Sequence, residues 1–116
     1  MKKKNIVKKS EDFSRIINKK NGLASKYFII NKEVNTDNIP KFGITFVKHI
    51  GNAVLRNKLK RKIKSIIDNQ KNIYQNSYNY IIIIRKDAIL LPYQELEKQL
   101  INLFLKLKEK LNEEKK

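Results

Sequence analysis

Apolar residues recur along the chain with two periods, and the switches between them mark out its elements. Phe13, Ile16 and Ile17 fall at i, i+3, i+4, the spacing of one helix face. Ser10 stands where an N-cap belongs, Glu11 and Asp12 follow at the positive end of the helix dipole, and Asn21-Gly22 supplies a stop. From Lys26 to Val34 the period drops to two, with Phe28 and Ile30 on one face and Tyr27, Ile29 and Asn31 on the other, as in a strand. Asn35 to Pro40 has turn chemistry, and beyond it Phe42, Ile44 and Phe46 alternate with Gly43, Thr45 and Val47. This pattern predicts a second strand, paired antiparallel with the first through a short hairpin loop.

After Gly51-Asn52 the helical period returns from Ala53 to Asp68, with Leu55, Leu59, Ile63 and Ile66 on one stripe. Asn57, Lys58, Lys60, Arg61 and Lys64 point away from that stripe, and Arg56 and Lys62 flank it. Tyr78 to Arg85 is apolar on both faces at Ile81, Ile82, Ile83 and Ile84, the mark of a strand covered on both sides and central in its sheet. Pro92 opens a last helix in which Tyr93, Leu96, Leu100, Leu103, Phe104, Leu107 and Leu111 form one long stripe. The order helix, strand, strand, helix, strand, helix predicts an α/β (α+β) two-layer sandwich. Without an internal repeat or a linker, residues 1–116 are expected to form a single domain.

Composition sharpens this picture. With 116 residues and 41% hydrophobic positions, the chain can fill one core. It has no cysteine, which excludes disulfides, thiolate metal sites and a cysteine nucleophile and suits a reducing interior. The longest apolar run, Tyr80 to Ile84, is far short of the roughly 20 residues of a membrane span, and no signal-peptide pattern follows Met1. A cytoplasmic location is expected. The net charge of +16, from 27 Lys plus Arg against 11 Asp plus Glu, calls for a polyanionic partner, nucleic acid before membrane surface. Residues 1–9 hold five lysines and no acid and read as a basic arm, mobile until a partner orders it.

The inventory for catalysis is thin. There is one His, His49, with no carboxylate partner in view, and no G-x-S-x-G, H-E-x-x-H or Gly-rich phosphate loop. Acidic residues are scattered or sit at helix starts, so neither a catalytic residue nor a metal site is assigned. The basic helix differs. Six of its cations fall within nine positions, Arg56 to Lys64, and no acid occurs from Asn38 to Ile67. Like charges at i, i+4, such as Arg56/Lys60 and Lys60/Lys64, repel by a few tenths of a kcal/mol per pair, which points to an absent anion rather than to a merely solvated face. A second constellation is a groove bordered by Phe13 and Ile17, floored by Tyr27, Ile29, Asn31, Thr45 and Val47, and edged by Lys48 and Arg85. Apolar surface beside cations suits an extended single strand, although burial alone would place Phe13, Ile17 and Ile29 there equally well.

The string Gly51-Asn52-Ala53-Val54-Leu55-Arg56-Asn57-Lys58-Leu59-Lys60-Arg61 closely resembles G-N-A-V-x-R-N-R-x-K-R, the signature of the bacterial ribonuclease P protein subunit family. Lys8 to Phe13, Gly43-Ile44-Thr45 and Tyr80 to Lys86 resemble that family in the same order, so the likeness covers nearly the whole chain. It implies a mixed central sheet with a left-handed βαβ crossover, against the usual hand. It also implies binding to the catalytic RNA of ribonuclease P and to the 5′ leader of precursor tRNA, promoting endonucleolytic removal of the leader. Catalysis and the required Mg²⁺ would then belong to the RNA, with no cofactor, membrane or obligate protein partner for the protein itself. By the same resemblance Arg56, Asn57, Lys58, Lys60, Arg61 and Lys64 face the RNA subunit, and Phe13, Ile17, Asn31, Thr45, Lys48 and Arg85 form the leader cleft. Lys58 stands where the family commonly has Arg, Ile17 and Asn31 where cleft aromatics are common, and His49 where Lys is frequent. The residues alone leave a second reading open, a general or ribosome-associated RNA-binding protein without processing activity.

Overall fold

The computed structural model describes residues 1–47 and 50–114. Helix α1 spans Ser10–Asn18, β1 Leu23–Ala24, β2 Phe28–Val34, β3 Phe42–Phe46, α2 Ala53–Asn69, β4 Tyr78–Ile84 and α3 Tyr93–Glu114. The four strands form one sheet in the order β1-β2-β4-β3. The all-isoleucine centre of β4 takes the middle position that its two apolar faces predict. It pairs antiparallel with β2 and parallel with β3, so the sheet is mixed.

The expected β2–β3 hairpin does not form. The two strands lie on opposite sides of β4, and the turn at Asn35–Pro40 carries the chain past the end of β4 to its other edge. Asn35 fixes this passage: its amide donates to the carbonyls of Asn76 and Ile39 and its Oδ1 accepts from Asn38 N. Helix α2 then returns the chain so that β4 can run parallel to β3, as the βαβ unit requires.

One face of the sheet supplies Phe28, Ile30, Ile44, Ile82 and Ile84 to a core closed by α2 and α3. Helix α2 contributes Leu59, Ile63, Ile66 and Ile67; α3 contributes Leu96, Leu100, Leu103, Phe104, Leu107 and Leu111. Tyr93, placed on the same stripe by spacing, sits at the helix start and is exposed. On the other face, among the described residues, α1 and the arm residue Val7 pack: Val7, Ile16 and Ile81 form a small second cluster with Phe13, Ile17 and Ile83 against it.

Three local differences have simple causes. Ser10 is the first helical residue rather than the cap, because Lys9 holds the extended cap conformation. The chain leaves α1 at Lys20, whose φ of 49° makes the turn before Asn21-Gly22. Strand β2 begins at Phe28 rather than Lys26, since the Ser25 hydroxyl accepts from the amides of Tyr27 and Phe28 and turns the chain there. Residues 1–9 do not extend into solvent: Ile6 bridges Phe42, Val7 N donates to Phe42 O at 3.0 Å, and Val7 is buried. Two apolar side chains and the open edge of β3 thus dock the arm that charge alone marks as mobile.

Candidate nucleic-acid interface

Helix α2 starts at a built cap. Gly51 takes a φ of 57°, a conformation glycine reaches without cost, and the Asn52 side chain accepts from Leu55 N at 2.9 Å. Arg56 Nε donates to Ile50 O at 2.8 Å, tying the first turn to the incoming loop. The Arg56 guanidinium lies 5.7 Å from the centre of the Phe46 ring and Lys60 Nζ 5.9 Å from it, within cation–π range. Phe46, at the end of β3, therefore spaces two like charges along one flank of α2. Periodicity counts Phe46 as an ordinary core residue; its position at a strand end just before a cationic helix is the only signal of this role.

Beyond that flank the helix presents bare charge. Asn57, Lys58 and Arg61 are exposed, and Lys60, Lys62 and Lys64 are half-buried. Among the described residues none of the cations of α2 has a carboxylate within 4.0 Å. The six residues expected to face RNA thus share one continuous side of one helix, although Arg56 is partly committed to holding the loop.

On the opposite side of the molecule the sheet forms a groove. Two rows across the strands lie under or beside α1: Asn31–Ile81–Gly43 and, next to it, Glu33–Asn79. Phe13 crosses directly over Gly43, where a Cβ would stand 2.6 Å from Phe13 Cζ and from Ile81 Cδ1. Gly43 thus leaves room for the tips of the Phe13 and Ile81 side chains, a role the sequence did not reveal. The next row, Ile29–Ile83–Thr45, is half-buried. A further row, Tyr27–Arg85–Val47, follows through Arg85 N donating to Tyr27 O and Val47 N to Ile84 O. Phe13 and Ile17, both half-buried, form the wall of this groove. Arg85 is exposed at its far end and donates to Ser25 O at 3.1 Å.

Of the six cleft residues, the structure brings Phe13, Ile17, Thr45 and Arg85 around one floor. Asn31 lies on the expected face but is buried in the covered row. Lys48 lies outside the described residues, as does His49. Ile83 belongs to the floor and was not singled out by sequence, because a strand apolar on both faces gives no sign of which face stays open.

Charge holds α1 in place. Arg15 grips Glu33 on β2 in a two-point contact, Nε to Oε1 at 2.7 Å and Nη2 to Oε2 at 2.9 Å, while its Nη1 donates to Asp12 at 2.8 Å. Lys19 Nζ stands 3.4 Å from the same carboxylate. The Arg15 hydrogen bonds hold the Glu33 carboxyl below the usual carboxylate range. Among the described residues no group of His, Asp and Glu is arranged to hold a metal ion, and no helix is long and apolar enough to cross a membrane.

Known proteins are similar to this chain in sequence and in architecture. A protein component of ribonuclease P from Mycoplasma mycoides is 41% identical over 109 residues, 93% of this chain and all of that protein. The corresponding component from Bacillus pumilus is 36% identical over 91% of this chain and 90% of its own length. The ribonuclease P protein of Staphylococcus aureus superposes with a TM-score of 0.77 at 30% identity, covering 85% of this chain and 91% of that one. That of Thermotoga maritima gives 0.76 at 25% identity over 86% and 94%. Residues 1–108 match the family Ribonuclease P, and the chain belongs to that family, as a protein component of ribonuclease P.

Proposed function

We propose that this component binds the catalytic RNA of ribonuclease P through the exposed side of α2 and the 5′ leader of precursor tRNA in the groove beside α1. The observation that carries the reading is the uncompensated charge of α2: six cations and a single acid, Asp68, in one helix, none of the six paired among the described residues. Helices that keep such repulsion gain from it only when a polyanion is bound. Arg61 and Lys58 reach phosphates freely, while Asn57 offers an amide to base or sugar edges. In the groove, Phe13 and the floor of Ile29, Ile83 and Thr45 offer stacking and apolar surface, and Arg85 meets a phosphate. Lys48 is proposed for the same edge from its place in the sequence alone.

Catalysis is assigned to the RNA and its Mg²⁺ ions. The protein supplies a positive field that lowers repulsion between two polyanions, and with it the magnesium needed for substrate binding. The test is cleavage of precursor tRNA by a bacterial ribonuclease P RNA at low magnesium, with and without the protein, on substrates with a long 5′ leader and with none. Rescue that needs the RNA and favours the leader-bearing substrate is expected. Cleavage by the protein alone overturns the ribozyme assignment, and rescue blind to the leader leaves a general RNA-binding role.

A further inference from the structure

A cavity lies beyond the C-terminal end of the basic side of α2, on the far side of the sheet from the groove. It measures about 600 Å³ and opens between the N-terminal arm and the C-terminal end of α2, a size suited to a small organic group. Lys2, Lys4 and Lys71 stand around it, all exposed, and among the described residues none of the three has an acidic partner. Its one carboxylate, Asp68, is engaged by the Met1 amine at 2.6 Å. The cavity therefore keeps three uncompensated positive charges.

One wall is aromatic. Tyr74 is half-buried, and its ring is set edge-on to Phe42 at 4.9 Å and 76°, with Tyr80 and Phe104 at 6.3 Å and 6.5 Å behind. Those contacts fix the ring before any ligand arrives, so stacking on it would cost little ordering. The cavity also continues the basic flank of α2: the i, i+4 series Arg56, Lys60, Lys64 leads down the helix to Asp68 and then Lys71. From Arg56 to Asp68 the helical rise is roughly 18 Å, so the cavity at the C-terminal end of α2 lies within a few nucleotides of the Arg56 end of the basic flank.

We propose that this cavity is a nucleotide subsite, in which an unpaired base of the bound RNA packs against Tyr74 while its flanking phosphates meet Lys2, Lys4 and Lys71. A fixed aromatic side chain lining a cavity beside several cations is the kind of arrangement that holds single-stranded nucleotides without reading their sequence. The inference rests on the RNA-binding role proposed above and adds to it a place where the arm and α2 act together.

The test uses the full chain, ¹⁵N-labelled, titrated with pentaadenylate and with an abasic pentamer of equal charge. Pentaadenylate is expected to give saturable shifts at Tyr74 and Lys71, and the abasic chain to bind there about tenfold more weakly, the loss of one stacked base. Lys71→Glu should weaken both pentamers, whereas Tyr74→Leu should weaken only pentaadenylate; if the Leu variant does not fold, the abasic comparison and Lys71→Glu decide. Equal binding of the two pentamers at these residues overturns base recognition, and shifts confined to α2 overturn the subsite. Arg61→Ala measured in parallel on ribonuclease P RNA separates the two readings. If that RNA binds in an Arg61-dependent way while pentaadenylate leaves Tyr74 and Lys71 unmoved, the subsite alone fails. If that RNA does not bind at all, the function proposed above fails.

Discussion

The two faces of the sheet carry similar apolar residues and are covered by different means. On one face Phe28, Ile30, Ile82 and Ile84 are closed over by α2 and α3 and have no exposure. On the other, α1 spans nine residues, covers the Ile81 row, and leaves Ile29, Ile83 and Thr45 half-buried. The first face is held by packing; the second is held by a small cluster and by Arg15 on Glu33. An apolar sheet that outruns its helix becomes a groove, so the shortness of α1 is itself the origin of the cleft.

Neighbouring residues of β4 separate the two faces most sharply. Ile82→Ala removes a fully buried side chain and is expected to lower stability by about 3 kcal/mol, as core truncations that leave a cavity do. Ile83→Ala, one residue on and facing the groove, should cost about 1 kcal/mol and weaken binding of leader-bearing precursor instead. Urea denaturation of both variants gives the first comparison. Equal losses of stability would mean that the groove floor is ordinary core.

Phe13 tests the wall of the groove in the same way. Phe13→Ala should weaken binding of precursor with a leader by about 1–3 kcal/mol, the worth of one stacked base, and leave mature tRNA nearly unaffected. A similar loss for both RNAs would assign Phe13 to packing over Gly43 alone.

The helix surface behaves differently from the groove, because its contacts are electrostatic. Arg61→Ala is expected to leave stability unchanged and to lower the salt dependence of binding to ribonuclease P RNA by a slope of about one. Arg56→Ala should lower that slope and also destabilise the fold by about 1 kcal/mol, since Arg56 Nε holds Ile50 O. Binding titrations at several salt concentrations check both, and an unchanged slope for Arg61→Ala would move the RNA interface off this helix.

How much of this was legible follows from the range of the interactions. Helix α2 and its charged side were readable because period and charge are local, and the central place of β4 was readable because both its faces are apolar. The pairing of β2 and β3 was not, since a turn followed by a second strand suggests a hairpin and nothing local says that β4 will come between them. Strand β1 is two residues long and escaped notice, although Gly22 before it marks a close approach: a Cβ there would stand 1.6 Å from Ile30 O. Alternation placed Asn31 on the groove face, but only the position of α1 decides that its row is covered. Glu33, the anchor of that helix, looked like any polar strand residue, because its partners lie 14 and 18 positions away, on the C-cap of α1 and on α1 itself.

That anchor gives the smallest predicted effect and the most specific one. The folded-state pKa of Glu33 is lowered, mainly by hydrogen bonds from Arg15, so the contact contributes stability that is fully present above the ordinary glutamate value of about 4.3. The contribution declines as pH falls through the depressed folded value, where Glu33 takes up a proton in the native state as well. Glu33→Gln removes the charge and should cost about 1 kcal/mol or less at neutral pH, the scale of a partly exposed ion pair. The gap between the two proteins, followed by urea denaturation from pH 7 downward, should narrow below about pH 4.3 and close below the depressed value. Ile82 sits instead in an apolar core between the sheet, α2 and α3, so Ile82→Ala should show a stability difference that does not close with acid. A Glu33→Gln difference equally independent of pH would mean that packing, and not Arg15, keeps α1 on the sheet.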